Sequence, residues 1–203
     1  MRKFSLSLVS LALYGGSRDG HDPVFADDAR ALGVLIGKHD VLLKYGGSAK
    51  GLMGAFARGF VDSARDFKSE AQLYGVMPHK YFFQGDVDAL GFQYSLTETM
   101  SERKAYFVRD TKAFVVLPGG TGTLDEIFES VEIDHNVKDE NGNRLPVRPL
   151  YILNTRGYYD HMLAQLKHSL KTGFLSSHTE ISYFRVEETP EALYERIRAE
   201  IGI

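Results

Sequence analysis

Residues 113–126 read AFVVLPGGTGTLDE. Residues 113–117 are apolar and rich in β-branched or aromatic side chains, which suits a buried strand. Pro118-Gly119-Gly120 breaks that strand, and a helix is expected from near Thr123. Glycines in such a turn let successive backbone N–H groups face one point, and the helix N-terminus adds partial positive charge there. Thr121 and Thr123 contribute hydroxyl donors. The pattern predicts a phosphate site. The plainer alternative is a strand-to-helix turn with a capping threonine. Three glycines and two threonines within residues 119–123 weigh towards phosphate.

The same strand, turn and helix order runs outward in both directions. Upstream, residues 5–13 form an apolar strand that enters a glycine turn at 15–20. Asp22-Pro23 reads as a helix cap and first-turn proline, followed by Phe25, Ala29, Leu32 and Ile36 at helical spacing. A short strand at 41–45 ends in Gly46-Gly47-Ser48, and a helix over 52–64 carries Leu52, Phe56 and Phe60. Residues 73–77 make a strand that Pro78 stops, and 99–109 make a helix. Residues 79–96 show no clear period and stay unassigned. Downstream come a strand at 150–153, a helix at 158–172 with Gly173 as its C-terminal cap, and a strand at 181–186. Thr189-Pro190-Glu191 opens a last helix bearing Leu193, Ile197 and Ile201.

Such alternation predicts an α/β fold, doubly wound, with a mostly parallel sheet and helices on both faces, as one domain over residues 1–203. Ligands in these sheets bind at the carboxyl ends of strands, where the strand order reverses. Three glycine-rich turns fall at such ends: 15–20, 46–51 and 119–122.

Composition narrows the chemistry. The chain has no cysteine, which removes disulfides, thiolate catalysis and cysteine-based zinc sites. Net charge is −3 and no long Lys/Arg block occurs, so no nucleic-acid partner is expected. The seven histidines are scattered without metal-ligand spacing, and no metal is expected. Met1-Arg2-Lys3 before an apolar run imitates a signal peptide, but Leu11-Ala12-Leu13-Tyr14 offers no small-residue cleavage site. No stretch approaches the ~20 apolar residues of a membrane helix. These features lead us to expect a cytoplasmic protein without a membrane partner.

Two familiar phosphate motifs fail. Gly46 and Gly51 have P-loop spacing, but Leu52 stands where the lysine is required. The first turn, GGSRDG at 15–20, lacks the Gly-x-Gly-x-x-Gly order. A second positive signal is Met100-Ser101-Glu102-Arg103-Lys104. Met100, Arg103, Lys104 and Phe107 share one helix face, so two cations point where apolar neighbours suggest an interior. They require an anionic partner, unless their long stems simply carry the charges to water. Glu126 and Glu129, three apart, share a face of the following helix; they can receive Arg103, bind a sugar hydroxyl or handle a proton. Asp125 reads as a first-turn acid that favours the helix dipole.

Together, Pro-Gly-Gly-x-Gly-Thr-x-x-Glu at 118–126 and Met-x-x-Arg-Lys at 100–104 resemble the Lonely guy family, described in older usage as "possible lysine decarboxylase". The glycine turn at 15–17, Gly51-Leu52-Met53-Gly54, Gly157-Tyr158-Tyr159-Asp160 and Gly173-Phe174-Leu175 extend the resemblance along the chain. The resemblance implies a Rossmann-like fold, a homodimer, no cofactor, and hydrolysis of cytokinin riboside 5′-monophosphates or AMP to free base and ribose 5-phosphate. It implies Arg103 and Glu126 as catalytic residues. For the nucleoside monophosphate it implies contacts from Gly16, Ser17, Gly46, Gly47, Met100, Lys104, Gly119, Gly120, Thr121, Gly122, Thr123 and Glu129. Ser48 and Ser101 depart from the family's usual glycine and histidine, and the usual Thr-Trp-x-Gln-Leu segment is missing in a chain with no tryptophan. These departures bear on the base, not on the phosphate. The competing class is a non-catalytic nucleotide-binding or sensing module, which would keep the glycine cradle without needing both Arg103 and Glu126.

Overall fold

The computed structural model describes residues 8–136, 147–175 and 182–203. The beginnings of the strands expected at 5–13 and 181–186 lie outside them.

The chain runs β1 (Val9–Tyr14), α1 (Val24–Ile36), β2 (Val41–Tyr45), α2 (Gly51–Phe67), β3 (Gln72–Pro78), α3 (Gln84–Leu90), β4 (Gln93–Thr97), α4 (Met100–Val108), β5 (Ala113–Val116), α5 (Thr121–Asn136), β6 (Leu150–Leu153), α6 (Asp160–Lys171), β7 (Phe184–Glu187) and α7 (Pro190–Ile201). One seven-stranded sheet has the order β4-β3-β2-β1-β5-β6-β7. Every neighbouring pair in it is parallel. The order reverses between β1 and β5, which opens a crevice at their carboxyl ends.

Alternation along the strands builds two cores. Leu11, Leu13, Leu43, Val115 and Leu153 face one side, against α1, α2 and α7. Ala12, Tyr14, Leu42, Phe114, Val116 and Ile152 face the other, against α4, α5 and α6. The central strands are thus apolar on both faces, as parallel strands between helix layers must be. The helices α1 and α2 cross so closely that a Cβ on Gly33 would lie 2.2 Å from Phe56 O, and one on Gly59 2.3 Å from Arg30 O.

Local signals set most element ends. The Asp22 carboxylate accepts the Val24 N–H at 3.0 Å and caps α1. Thr99 accepts the Glu102 N–H at 3.1 Å and starts α4, while the Glu102 carboxylate reaches back to the Glu98 N–H at 2.9 Å. Gly173 follows α6 with a left-handed φ of 83°, a conformation that costs glycine nothing.

Three departures from expectation bear on the cleft. The helix α5 starts at Thr121 rather than near Thr123, because Gly120 O already accepts the Thr123 and Leu124 N–H groups at 3.0 and 3.1 Å. Pro78 stops β3 as its last residue rather than as the first one beyond it, paired with Thr97. The unassigned stretch 79–96 holds a 3₁₀ turn at His79–Tyr81, α3, and most of β4. That strand lies at the sheet's edge, with Gln93 and Tyr94 exposed, so it shows no apolar run.

Candidate functional site

The three glycine turns meet at the crevice. Leu117 N donates to Tyr14 O at 2.9 Å, Gly16 N to Pro118 O at 2.9 Å, and Met53 N to Gly16 O at 3.3 Å. These bonds tie the ends of β1 and β5 to the start of α2. They frame a cleft of about 790 Å³, a size suited to a small organic ligand.

The loop at 118–122 is held from behind by two tyrosines. Tyr158 OH donates to Gly119 O at 2.6 Å, and the buried Tyr159 OH donates to Leu117 O at 2.8 Å. Asn154 fixes this brace, accepting the Tyr159 N–H at 2.7 Å and donating to the Asp160 carboxylate at 2.8 Å. With these carbonyls engaged, the Gly120, Thr121 and Gly122 N–H groups make no hydrogen bond among the described residues. A Cβ at Gly120 or Gly122 would meet nothing within 4 Å. The protein itself therefore does not require glycine at these two positions. Bare N–H groups, open space and a helix start together make a site for an anion.

One turn further along α5 stands Glu126, 8% exposed. Arg103 Nη2 lies 3.1 Å from its Oε1, and Arg103 Nε donates to Val76 O at 3.2 Å. The guanidinium also sits over the Phe107 ring, 5.0 Å from its centroid. A Cβ on Gly46 would come within 2.8 Å of Arg103 Nη2, so the glycine after β2 leaves the space this side chain fills. Burial raises the Glu126 carboxyl to about 7, against the opposing pull of Arg103. A carboxyl that titrates near neutrality inside a cleft is suited to moving a proton.

The frame behind this pair is also built from named bonds. Tyr14 OH shares a 2.8 Å hydrogen bond with Ser130 Oγ, which donates to Glu126 O at 2.8 Å and sets α5 against β1. The Arg148 side chain bonds the Asp134 carboxylate on α5, with Nε at 2.9 Å from Oδ1, and also the carbonyls of Val108 and Thr111 at the end of α4. Lys44, buried in β2, bonds Arg109 O and, at 3.2 Å, Thr111 Oγ1. Two cations thus close the C-terminal end of α4, where carbonyls lack helix partners.

Of the residues singled out in the sequence, Gly16, Ser17, Gly46, Gly47, Met100, Arg103, Gly119, Gly120, Thr121, Gly122, Thr123 and Glu126 line the cleft. Lys104 and Glu129 do not. Lys104 Nζ lies 2.6 Å from Glu129 Oε2 and 3.1 Å from Asp125 Oδ2, on the outer side of the α4–α5 contact. Its ammonium is held above its ordinary pKa, chiefly by Glu129. Both residues, expected to contact the ligand, thus lie outside the cleft lining: one residue of rotation along α4 turns Lys104 away from Arg103's direction. The sequence reading had no place for Arg18, Asp19, Phe25, Tyr81 or Asp86, all of which line the cleft. Tyr81 and Asp86 come from the unassigned stretch; Arg18 and Asp19 sit inside a turn read only for its glycines. Among the described residues no cluster of His, Asp and Glu is arranged to hold a metal ion, and no helix is long and apolar enough to cross a membrane.

The sequence model of the family described as "Possible lysine decarboxylase" matches residues 53–197. A protein of Oryza sativa subsp. japonica named "Probable cytokinin riboside 5′-monophosphate phosphoribohydrolase LOGL1" is 30% identical over 168 residues, covering 82% of this chain and 69% of that one. The "Cytokinin riboside 5′-monophosphate phosphoribohydrolase" of Rhodococcoides fascians is 28% identical over 171 residues, covering 84% and 80%. Among solved structures, the molybdenum cofactor binding protein of Rippkaea orientalis superposes with a TM-score of 0.66 at 18% identity, covering 97% of this chain and 99% of that one. The molybdenum cofactor carrier protein of Chlamydomonas reinhardtii does so at 0.65 and 16%, covering 95% and 97%. At such identities these structures speak for the Rossmann-like fold alone. With the family's model matched over most of its length and both motifs seated in one cleft, this chain belongs to the possible lysine decarboxylase, or Lonely guy, family.

Proposed function

We propose that the protein hydrolyses the N-glycosidic bond of an adenine-type nucleoside 5′-monophosphate, releasing free base and ribose 5-phosphate. The observation that carries this reading is the placement of Glu126. It is a buried carboxyl, paired with Arg103 at 3.1 Å, one helical turn beyond an open anion cradle on the same helix. Four residues of helix span roughly 6 Å, the scale that separates a 5′-phosphate from the anomeric carbon of its ribose.

In this reading the free N–H groups at 120–122 hold the phosphate, and that remote binding positions the bond to be broken. As the C1′–N bond lengthens, the ribose gains oxocarbenium character. The Glu126 carboxylate stabilises that charge and takes a proton from the water whose oxygen adds to C1′. Arg103 fixes the carboxylate. The bond electrons leave with the base, whose nitrogen takes up a proton from solvent, and Glu126 returns the proton it took from water to solvent, restoring the carboxylate. Met53, Met77 and Pro78 supply apolar wall for the base, with Tyr81 beside them.

The family's older description implies another chemistry, for which a lysine would have to form a Schiff base. Among the described residues the buried lysine is Lys44, pushed down to about 8 by burial. It faces the opposite layer and is bonded to Arg109 O and Thr111, away from the cleft. That placement favours the hydrolase.

The test is product analysis with AMP and with isopentenyladenosine 5′-monophosphate, using wild type and Glu126→Gln. Base and ribose 5-phosphate from wild type alone support the reading, and the two rates rank plain against N6-substituted adenine. Tight binding without release from either would make the protein a nucleotide-binding or sensing module instead. The homodimer and the cytoplasmic location belong to the same proposal; sedimentation and localisation of a tagged protein test them.

A further inference from the structure

A nucleotide 5′-phosphate carries close to two negative charges at neutral pH. The cleft meets it with backbone N–H dipoles, which supply no full charge. The lining includes three acids, Asp19, Asp86 and Glu126, against two cations, Arg18 and Arg103. Arg103 is already engaged by Glu126 at 3.1 Å. Lys104 is outside the lining and held by Glu129 and Asp125. Arg18 remains. Its side chain is exposed on the cleft wall and makes no hydrogen bond or ion pair among the described residues. The turn that carries it lies against the glycine loop: a Cβ on Gly16, two residues before Arg18, would lie 3.2 Å from Pro118 O and 3.4 Å from Gly119 Cα.

We infer that Arg18 is the phosphate's charge partner: its guanidinium closes over the 5′-phosphate seated on residues 120–122 and distinguishes nucleotides from nucleosides. This rests on the hydrolase reading for the identity of the ligand, but not for the charge argument. The guanidinium fork suits phosphate, since it can offer two parallel N–H donors to two oxygens. Its exposure in the free protein means that no internal bond must break for it to swing onto the ligand.

The experiment measures ribose 5-phosphate and inorganic phosphate binding by calorimetry on the whole chain, for wild type, Arg18→Gln and Arg18→Lys, together with AMP kinetics. Arg18→Gln is expected to weaken ribose 5-phosphate binding by roughly ten- to a hundredfold, the scale of one hydrogen bond between charged groups. KM for AMP should rise by a similar factor with kcat within about twofold, since the phosphate is held equally in ground and transition states. Arg18→Lys should recover part of the loss, and added salt should weaken wild type more steeply than Arg18→Gln. Thermal melts should coincide, because the side chain is exposed. If Arg18→Gln binds ribose 5-phosphate as wild type does, the inference is overturned and the hydrolase reading stands. If wild type binds neither ribose 5-phosphate nor phosphate, both fall together. Wild-type binding without AMP turnover, lost in Arg18→Gln, supports Arg18 and removes only the hydrolase.

Discussion

Arg103 and Lys104 are neighbours on α4, and each meets a carboxylate of α5, yet they end in different environments. Arg103 and Glu126 form a pair with side chains 13% and 9% exposed, on the cleft wall. Lys104 meets Glu129 and Asp125, which are 32% and 60% exposed, on the outer edge of the same contact. The first pair gives up hydration, which raises the Glu126 carboxyl, and it forms part of the cleft wall. The second is half-buried, with the Lys104 side chain 17% exposed, and lies outside the cleft lining; its exposed arm to Asp125 is the kind of ion pair that contributes little. About 100° of helix rotation separates a candidate catalytic group from a surface brace.

The largest expected effect breaks the inner pair. Glu126→Gln should lower kcat by roughly 10²–10⁴-fold, the range for removing a positioned acid or base. The same change should raise stability at alkaline pH. Burial favours the neutral Glu126 carboxyl, so its folded pKa of about 7 lies above the ordinary 4.5. Its contribution is fully present below about 4.5 and lost as pH rises through 7, on the order of 3 kcal/mol. Glutamine has no such loss. Melting curves at pH 8 should therefore place the inactive variant above wild type; a lower melting point there would contradict the raised pKa.

Activity should run the opposite way with pH. The mechanism uses the carboxylate, so kcat/KM should climb as pH passes about 7. Arg103 pulls the Glu126 pKa down, and Arg103→Met should move that acidic limb to higher pH besides lowering the plateau. An unmoved limb would assign the titration to another group.

The frame behind both pairs comes next. Arg148→Met leaves the buried Asp134 without its cation and frees the carbonyls at the end of α4. A loss of about 3 kcal/mol is expected in denaturant unfolding, with a smaller fall in kcat from the altered angle between α4 and α5.

Smaller effects sharpen the contrast between fold and site. Gly122→Ala should keep its stability, since nothing lies within 4 Å of a Cβ there. The methyl would instead enter the phosphate's space, raising KM for AMP by about tenfold, the effect of one weakened hydrogen bond. Lys104→Gln is expected to change stability by under about 1 kcal/mol and KM hardly at all. If Lys104→Gln raised KM as Arg18→Gln is expected to, the outer pair would have to open to the ligand, and the division between inner and outer pairs would fail.

Much of the site could be read from the chain because it is local. Residues 113–126 contain a strand, a glycine turn and a helix start, and each signal acts within a few residues. The caps at Asp22, Thr99 and Thr189 are legible for the same reason. Residues 79–96 were not legible, because β4 is an edge strand whose pattern depends on its single neighbour β3. The direction of Lys104 was not legible either. Helical spacing places it on the face of Arg103, and only the packing of α4 on β3 and α5 decides which part of that broad face opens to the cleft.

The sequence by itself determined the alternation of strands and helices, the glycine turn and helix start at 118–123, and the presence of one arginine and one glutamate able to pair. Those rest on backbone sterics, capping and periodicity, all short-range. The tertiary structure alone decided that Tyr158 and Tyr159 hold the loop's carbonyls, that Gly46 makes room for Arg103, that Glu126 is buried enough to titrate near 7, and that Arg18 rather than Lys104 lines the cleft. Each of these depends on desolvation or contact between segments far apart in the chain, which only the assembled sheet brings together.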